Sequence, residues 1–192
     1  MGLMEKIWDF LAPETTPKPM AQIGFGPNHV RIEVRRAKRD PITRESLLDA
    51  DGQVIYHEDV EVYENWNVTC TAGLNAARDR LFNSATTETT AHYIALSSST
   101  ASPAAADTEL DAEITQSGLA RAAGTYTTSG CSDGECIVQN TFTAEDTLTD
   151  VQLMGLFDAA SAGDMYFEAT FTAVSLESDD QLTAKWDKIT LS

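Results

Sequence analysis

Cys131-Ser132-Asp133-Gly134-Glu135-Cys136 is the stretch whose residue types and spacing most plainly allow chemistry. Asp-Gly is a preferred pair for a two-residue hairpin loop because both central positions need positive φ. Ser132 and Glu135 would then form the hydrogen-bonded pair beside the turn. Cys131 and Cys136 would follow as the next pair, whose closer side chains can match disulfide spacing. A disulfide closing so short a loop removes little chain entropy; it would chiefly clamp a hairpin tip, given an oxidising exterior. The alternative is two reduced thiols on an exposed tip. Zinc does not fit, since His57 and His92 lie far from this pair in sequence. Cys70 reads as a buried small hydrophobe.

The remaining candidates for chemistry do not assemble into a site, so neither enzyme activity nor a metal or cofactor is expected. His29, His57 and His92 sit in different segments, without partners at motif spacing. There is no Gly-Xaa-Ser-Xaa-Gly elbow, phosphate loop or His-Glu-Xaa-Xaa-His. Gly24-Phe25-Gly26 follows no strand and fails as a dinucleotide fingerprint. Asp49-Ala50-Asp51-Gly52 resembles the start of a calcium loop, but the later oxygen ligands do not line up, and a hairpin turn explains it. Asn67-Val68-Thr69 is a glycosylation sequon placed in a strand. Asp179-Asp180 reads as a turn.

Charge is divided unevenly. Met1–Arg44 carries eight basic and five acidic residues, and Glu45–Ser192 carries five basic and twenty-five acidic ones. Nucleic-acid binding needs cations to replace counterions on phosphates, and the acidic part would be repelled. The one basic cluster, Arg31, Arg35, Arg36, Lys38 and Arg39, has no aromatics interleaved with it and suits docking onto an acidic protein surface. No stretch approaches the roughly 18 to 20 apolar residues needed to span a bilayer. Glu5 and Asp9 interrupt the apolar run at the N-terminus, which also lacks a cleavage site, so it is not a secretory signal. The acidity fits either a solvated mesophilic surface or adaptation to molar salt; scarce lysine and acidic turns point to the halophilic reading.

The elements that must carry these residues are mostly strands. Leu3, Met4, Ile7, Trp8 and Leu11 form one apolar stripe on a short helix, followed by a linker broken by Pro13, Pro17 and Pro19. About three helical turns are marginal alone in water, so the stripe should pack into a neighbour or back onto its own domain. Val30–Arg36 alternates as a strand. Asp51-Gly52 turns into another, with Val60, Val62, Trp66 and Val68 at a period of two. Ala72–Asn83 is expected to be helical, with Leu74, Ala77, Arg78, Leu81 and Phe82 along one side. Ala91–Ser97 returns to strand, and Asp107–Ile114 reads as a brief helical turn with a Thr108–Asp111 capping box. Strands are then expected over 119–128, 137–143, 151–157, 165–174 and 183–191. Trp66 and Trp186 are expected in the core, with Tyr126 exposed near the hairpin. An apolar content of 42% allows such a core.

From Trp66 onward, an ordered series of short motifs resembles a family of small virion proteins encoded by tailed double-stranded DNA viruses. It comprises Trp66-Asn67-Val68-Thr69 with Ala72-Gly73-Leu74, His92-Tyr93-Ile94-Ala95-Leu96 before Pro103, Asp107-Thr108-Glu109-Leu110 leading to Glu113-Ile114, Gly155-Leu156-Phe157-Asp158-Ala159-Ala160 before Gly163-Asp164-Met165, and Leu182-Thr183-Ala184-Lys185-Trp186 ending near Ile189-Thr190-Leu191-Ser192. Ser97-Ser98-Ser99 replaces the family's Gly-Thr-Gly. The resemblance implies a non-enzymatic, β-rich exterior component of a head or tail, and the acidity suggests a virus of halophilic archaea.

Together these readings give a mainly β protein: an antiparallel β-sandwich or jelly-roll-like body over 29–192, with one or two short helices. Residues 1–28 form an anchoring helix and proline-containing linker. The expected role is a head-associated decoration or turret protein, made in the host cytoplasm and carried on the virion. It would dock onto the major capsid or another virion protein through Leu3, Met4, Ile7, Trp8, Leu11, Arg31, Arg35, Arg36 and Arg39, as a homo-oligomer. A tail fibre, baseplate or adaptor and a carbohydrate-binding module for a host-surface glycan are the alternatives.

Overall fold

The computed structural model describes residues 29–85, 87, 89–132 and 135–190, with backbone alone at 188 and 190. The expected Met1–Leu11 helix and its linker therefore lie outside the described residues. The elements in chain order are β1 (His29–Ala37), β2 (Tyr56–Trp66), β3 (Val68–Thr69), α1 (Thr71–Phe82), β4 (Tyr93–Ser97), β5 (Ala122–Ala123), β6 (Thr125–Thr127), β7 (Glu135–Thr143), β8 (Leu148–Phe157), β9 (Met165–Leu176) and β10 (Gln181–Thr190). They form two antiparallel five-stranded sheets, ordered β2-β1-β10-β7-β6 and β3-β9-β8-β4-β5. The fold is the expected antiparallel sandwich.

Alternation explains the central strands. Val30, Ile32 and Val34 of β1 face inward beside Leu182, Ala184 and Trp186 of β10, and all six are fully buried. They meet Leu156, Phe167, Ala169 and Leu176 of the second sheet in one core, with the Phe167 and Trp186 rings 5.8 Å apart. The second sheet also has its other face covered. There Cys70, Leu110, Leu153, Phe157 and Met165 form a smaller core.

That second covered face accounts for a difference from the expected elements. Asp107–Ile114 is not helical and no capping box forms; it lies across the sheet as turns, with a bridge from Ser97 to Glu113 and Leu110 buried beneath it. Tertiary contact overrides local helical preference there. The single strand expected over 119–128 is likewise broken. β5 pairs with β4 in one sheet and β6 with β7 in the other. The chain changes sheets at Gly124, where a Cβ would lie 2.8 Å from Val138 Cγ1.

α1 forms where expected but turns its small side inward. Gly73 and Ala76 are buried, while Leu74, Leu81 and Phe82 are exposed. The cause is close approach: a Cβ at Gly73 would stand 2.6 Å from the Tyr166 carbonyl oxygen, so the helix can sit on β9 only along its small residues. Gly73→Ala is expected to push α1 off β9 and lower stability by about 2–3 kcal/mol. The shift in a denaturant midpoint at unchanged slope measures it.

Candidate functional site

The basic cluster is built into the body. β1 carries a register shift between Arg35 and Ala37, which sends Arg36 toward the β9–β10 turn. Asp180 in that turn is only 2% exposed. Its Oδ1 accepts the Ala37 backbone N–H at 2.9 Å and Arg39 Nη2 at 3.1 Å. Its Oδ2 accepts Arg36 Nη1 at 3.0 Å and the Glu177 N–H at 3.1 Å. Arg36 also donates twice to Glu61, both bonds 2.9 Å, and Arg39 Nε reaches Glu177 at 2.7 Å. The Arg36 guanidinium is held above its usual pKa, first by Glu61 and then by Asp180 against the effect of burial, and Arg36 in turn lowers Glu61. Arg36, Arg39, Glu177 and Asp180, with Arg44 and His57, line an open cavity of about 510 Å³.

On the outer face of the first sheet, Arg31 bonds Glu33 at 2.9 Å and Glu64 at 3.2 Å. Burial works to raise the Glu33 pKa, but Lys185 and Arg31 overcome it and the group is lowered. Arg35 lies over the Tyr56 ring, 5.0 Å from its centroid. Of the docking arginines, Arg36 and Arg39 are brought together at Asp180 while Arg31 and Arg35 lie on the outer face, and Arg31, Arg36 and Arg39 are already paired with carboxylates of their own chain. Asp179-Asp180 does form a turn. What its sequence did not signal is that Asp180 is buried, because only the fold places two guanidiniums around it.

The three histidines remain apart. His29 lies 3.8 Å from Asp187, His57 beside the arginine cavity, and His92 Nδ1 is 2.9 Å from the Thr90 carbonyl oxygen. Asp49 makes the expected turn, bonding the N–H groups of Asp51 and Gln53 through its side chain. The Asn67 side-chain amide is buried without a hydrogen-bond partner, which disfavours this sequon as a glycan acceptor. Cys70 is buried as expected, and burial pushes its thiol up to about 12.

Cys131 and Cys136 are free, half-buried thiols in this structure, and burial, then Cys131, raises the Cys136 pKa. The Ser132–Glu135 turn bond expected there forms, at 3.1 Å. β6 ends at Thr127, opposite Ile137 of β7, so Cys131 lies beyond the β6–β7 ladder, and on its other side Cys136 lies opposite Ile189 of β10.

Trp66 departs from the expected core position: it is 60% exposed, on the outward face of β2 with Val60 and Val62. β2 is an edge strand, and its inward side closes the sandwich with Glu61 and Tyr63, whose hydroxyl donates to Glu61. Tyr126 is exposed as expected. Trp66 and Tyr126 stand on opposite edge strands of one sheet, so they do not make a common platform for stacking a sugar.

Sequence reasoning missed two further features. Glu168 of β9 lies under the 104–111 loop, 2% exposed, with Oε2 unpartnered. Burial first, then Asp107, raises its pKa to about 7. The other feature is an apolar groove of about 700 Å³ at the end of the sandwich where β1 begins and β10 ends. It is walled by Ala76 and Ala77 of α1 and by Val138, Tyr166, Phe167 and Ile189.

The described body is thus two antiparallel sheets tied at the β9–β10 turn by the ion pairs of Asp180. Residues 69–192 match the family model described as podophage GP4 fiber I protein gp80, and the chain belongs to that family. It is a virion structural protein of a tailed phage. No curated protein and no solved structure matches the chain.

Two predictions follow from these carboxyls. Asp180→Ala should lower stability by about 2–4 kcal/mol by stranding buried donors, with Asp180→Asn intermediate, read from denaturant melts. Glu168 has a folded pKa of about 7 against an ordinary 4.5. Its protonated form is therefore favoured by folding, and stability falls as pH rises through that window. Glu168→Gln should melt increasingly above the parent protein from about pH 5 upward, the gap levelling off above about pH 7. Parallel Tm–pH profiles would refute this.

Proposed function

We propose that this protein is a fibre component of the tail, held to the particle by its N-terminal arm. The observation that carries the reading is the fibre description of the family matched over residues 69–192. It favours the tail over the head-associated decoration or turret expected from sequence. Attachment through the arm is supported by the pairing of Arg31, Arg36 and Arg39 inside the body, which reduces their charge for an outside partner. The apolar stripe Leu3, Met4, Ile7, Trp8 and Leu11 then supplies adhesion by burial. Five such side chains at about 1.5 to 3 kcal/mol each would contribute several kcal/mol per copy. A closed ring of copies would multiply this by avidity. Leu74, Leu81 and Phe82, exposed on α1, offer a second apolar surface to neighbouring copies.

Deleting Met1–Pro19 should abolish incorporation into particles and leave the body's Tm unchanged. Normal incorporation of that truncation would sink the arm as the attachment. Densitometry of purified particles should find a small number of copies, as for a tail part; a head-like stoichiometry of dozens or more would restore the decoration reading.

A further inference from the structure

We propose that the apolar groove at the mouth of the sandwich is filled by this chain's own Met20–Phe25, with the Phe25 side chain seated between α1 and the ends of β9 and β10. The groove draws its walls from both sheets and the helix, and its lining is mainly carbon: Ala76, Ala77, Val138, Leu156, Phe167 and Ile189. Such a cleft favours an apolar occupant, because covering it removes hydrocarbon surface from water.

Where the chain enters the fold identifies that occupant. β1 starts at His29, directly opposite Asp187, and Ile189 of the groove lies two residues further along β10. Two strand residues span about 7 Å. Phe25, four residues before His29, can reach about 13 Å, and Ile23 about 20 Å. No linker is needed, and a segment tethered this closely has an effective concentration on the order of millimolar.

Composition agrees. Met20-Ala21-Gln22-Ile23-Gly24-Phe25-Gly26-Pro27 has no charged residue, in a chain whose charged content is 22%. It can enter an apolar cleft without desolvating an ion. Gly24 and Gly26 flank Phe25 and carry no Cβ to hold the backbone away from the walls. Met1–Leu11 differs on each point: it contains Glu5, Lys6 and Asp9 and lies beyond three prolines. The body would then begin near Met20, and only Met1–Pro19 would be left for the particle. The inference does not depend on that attachment.

The test uses the full-length chain with Cys131→Ser, so that Cys136, a groove-lining thiol, reports access through its maleimide labelling rate. Phe25→Ala is expected to lower Tm by about 5–15 °C and to speed Cys136 labelling at least about tenfold. Trp8→Ala should change neither, whatever it does to particle incorporation. If Phe25→Ala does not fold, Phe25→Leu is read the same way: a smaller Tm fall with faster labelling supports the seat. Unchanged Tm and labelling in the variant that folds would overturn it. A Tm that rises with protein concentration in the parent but not in the Phe25 variant would also overturn it, assigning the groove to a second copy's segment.

Discussion

Asp180 is a carboxylate almost wholly removed from water at the turn joining the two sheets, and the arrangement around it follows from satisfying that charge. Four donors converge on its oxygens: two guanidiniums and two backbone N–H groups. Removing a donor would leave buried charge uncompensated. Meeting the demand fixes the bulge after Arg35, brings Arg36 and Arg39 to the same turn, and ties the first strand of one sheet to the β9–β10 connection. Glu61 and Glu177 then share the same two arginines and close the edge of the sandwich.

The same economy of cations recurs at the other end of the body. Arg121 lies with its guanidinium carbon 3.5 Å from the Phe157 ring centroid, pairs with Glu113, and donates to the carbonyls of Ala159 and Ala162. It thereby fastens two loops over the smaller core. In a chain with 13 basic and 30 acidic residues, cations held in such internal pairs leave the outside strongly acidic. Such a surface resists unspecific association, and the apolar exceptions on it among the described residues include Leu74, Leu81 and Phe82 of α1 and Val60, Val62 and Trp66 of β2.

The protein's family places it among the structural parts of a phage particle. Its two five-stranded sheets, the second covered on both faces, are tied by Asp180 at one side and Arg121 at another.

Local pattern was enough to determine the β class, the positions of β1, α1, β4 and β7 to β10, and the turn at Asp49–Gly52, because alternation and turn chemistry are properties of neighbours in the chain. Even the burial of Trp186 and Cys70 was legible. Which face each element turns inward was not. Val60, Val62 and Trp66 alternate correctly yet face out, since β2 is an edge strand, and edge position is decided by pairing with distant residues. Leu81 and Phe82 are exposed because only Gly73 and Ala76 are small enough to meet the Tyr166 backbone. Asp180 reads as an ordinary turn acid until strands more than a hundred residues away in sequence bring Arg36 and Arg39 to it. Periodicity therefore settled the type of most segments, 107–114 and 119–128 excepted; long-range pairing and close approach settled what each side chain touches, since neither distance is encoded in local order.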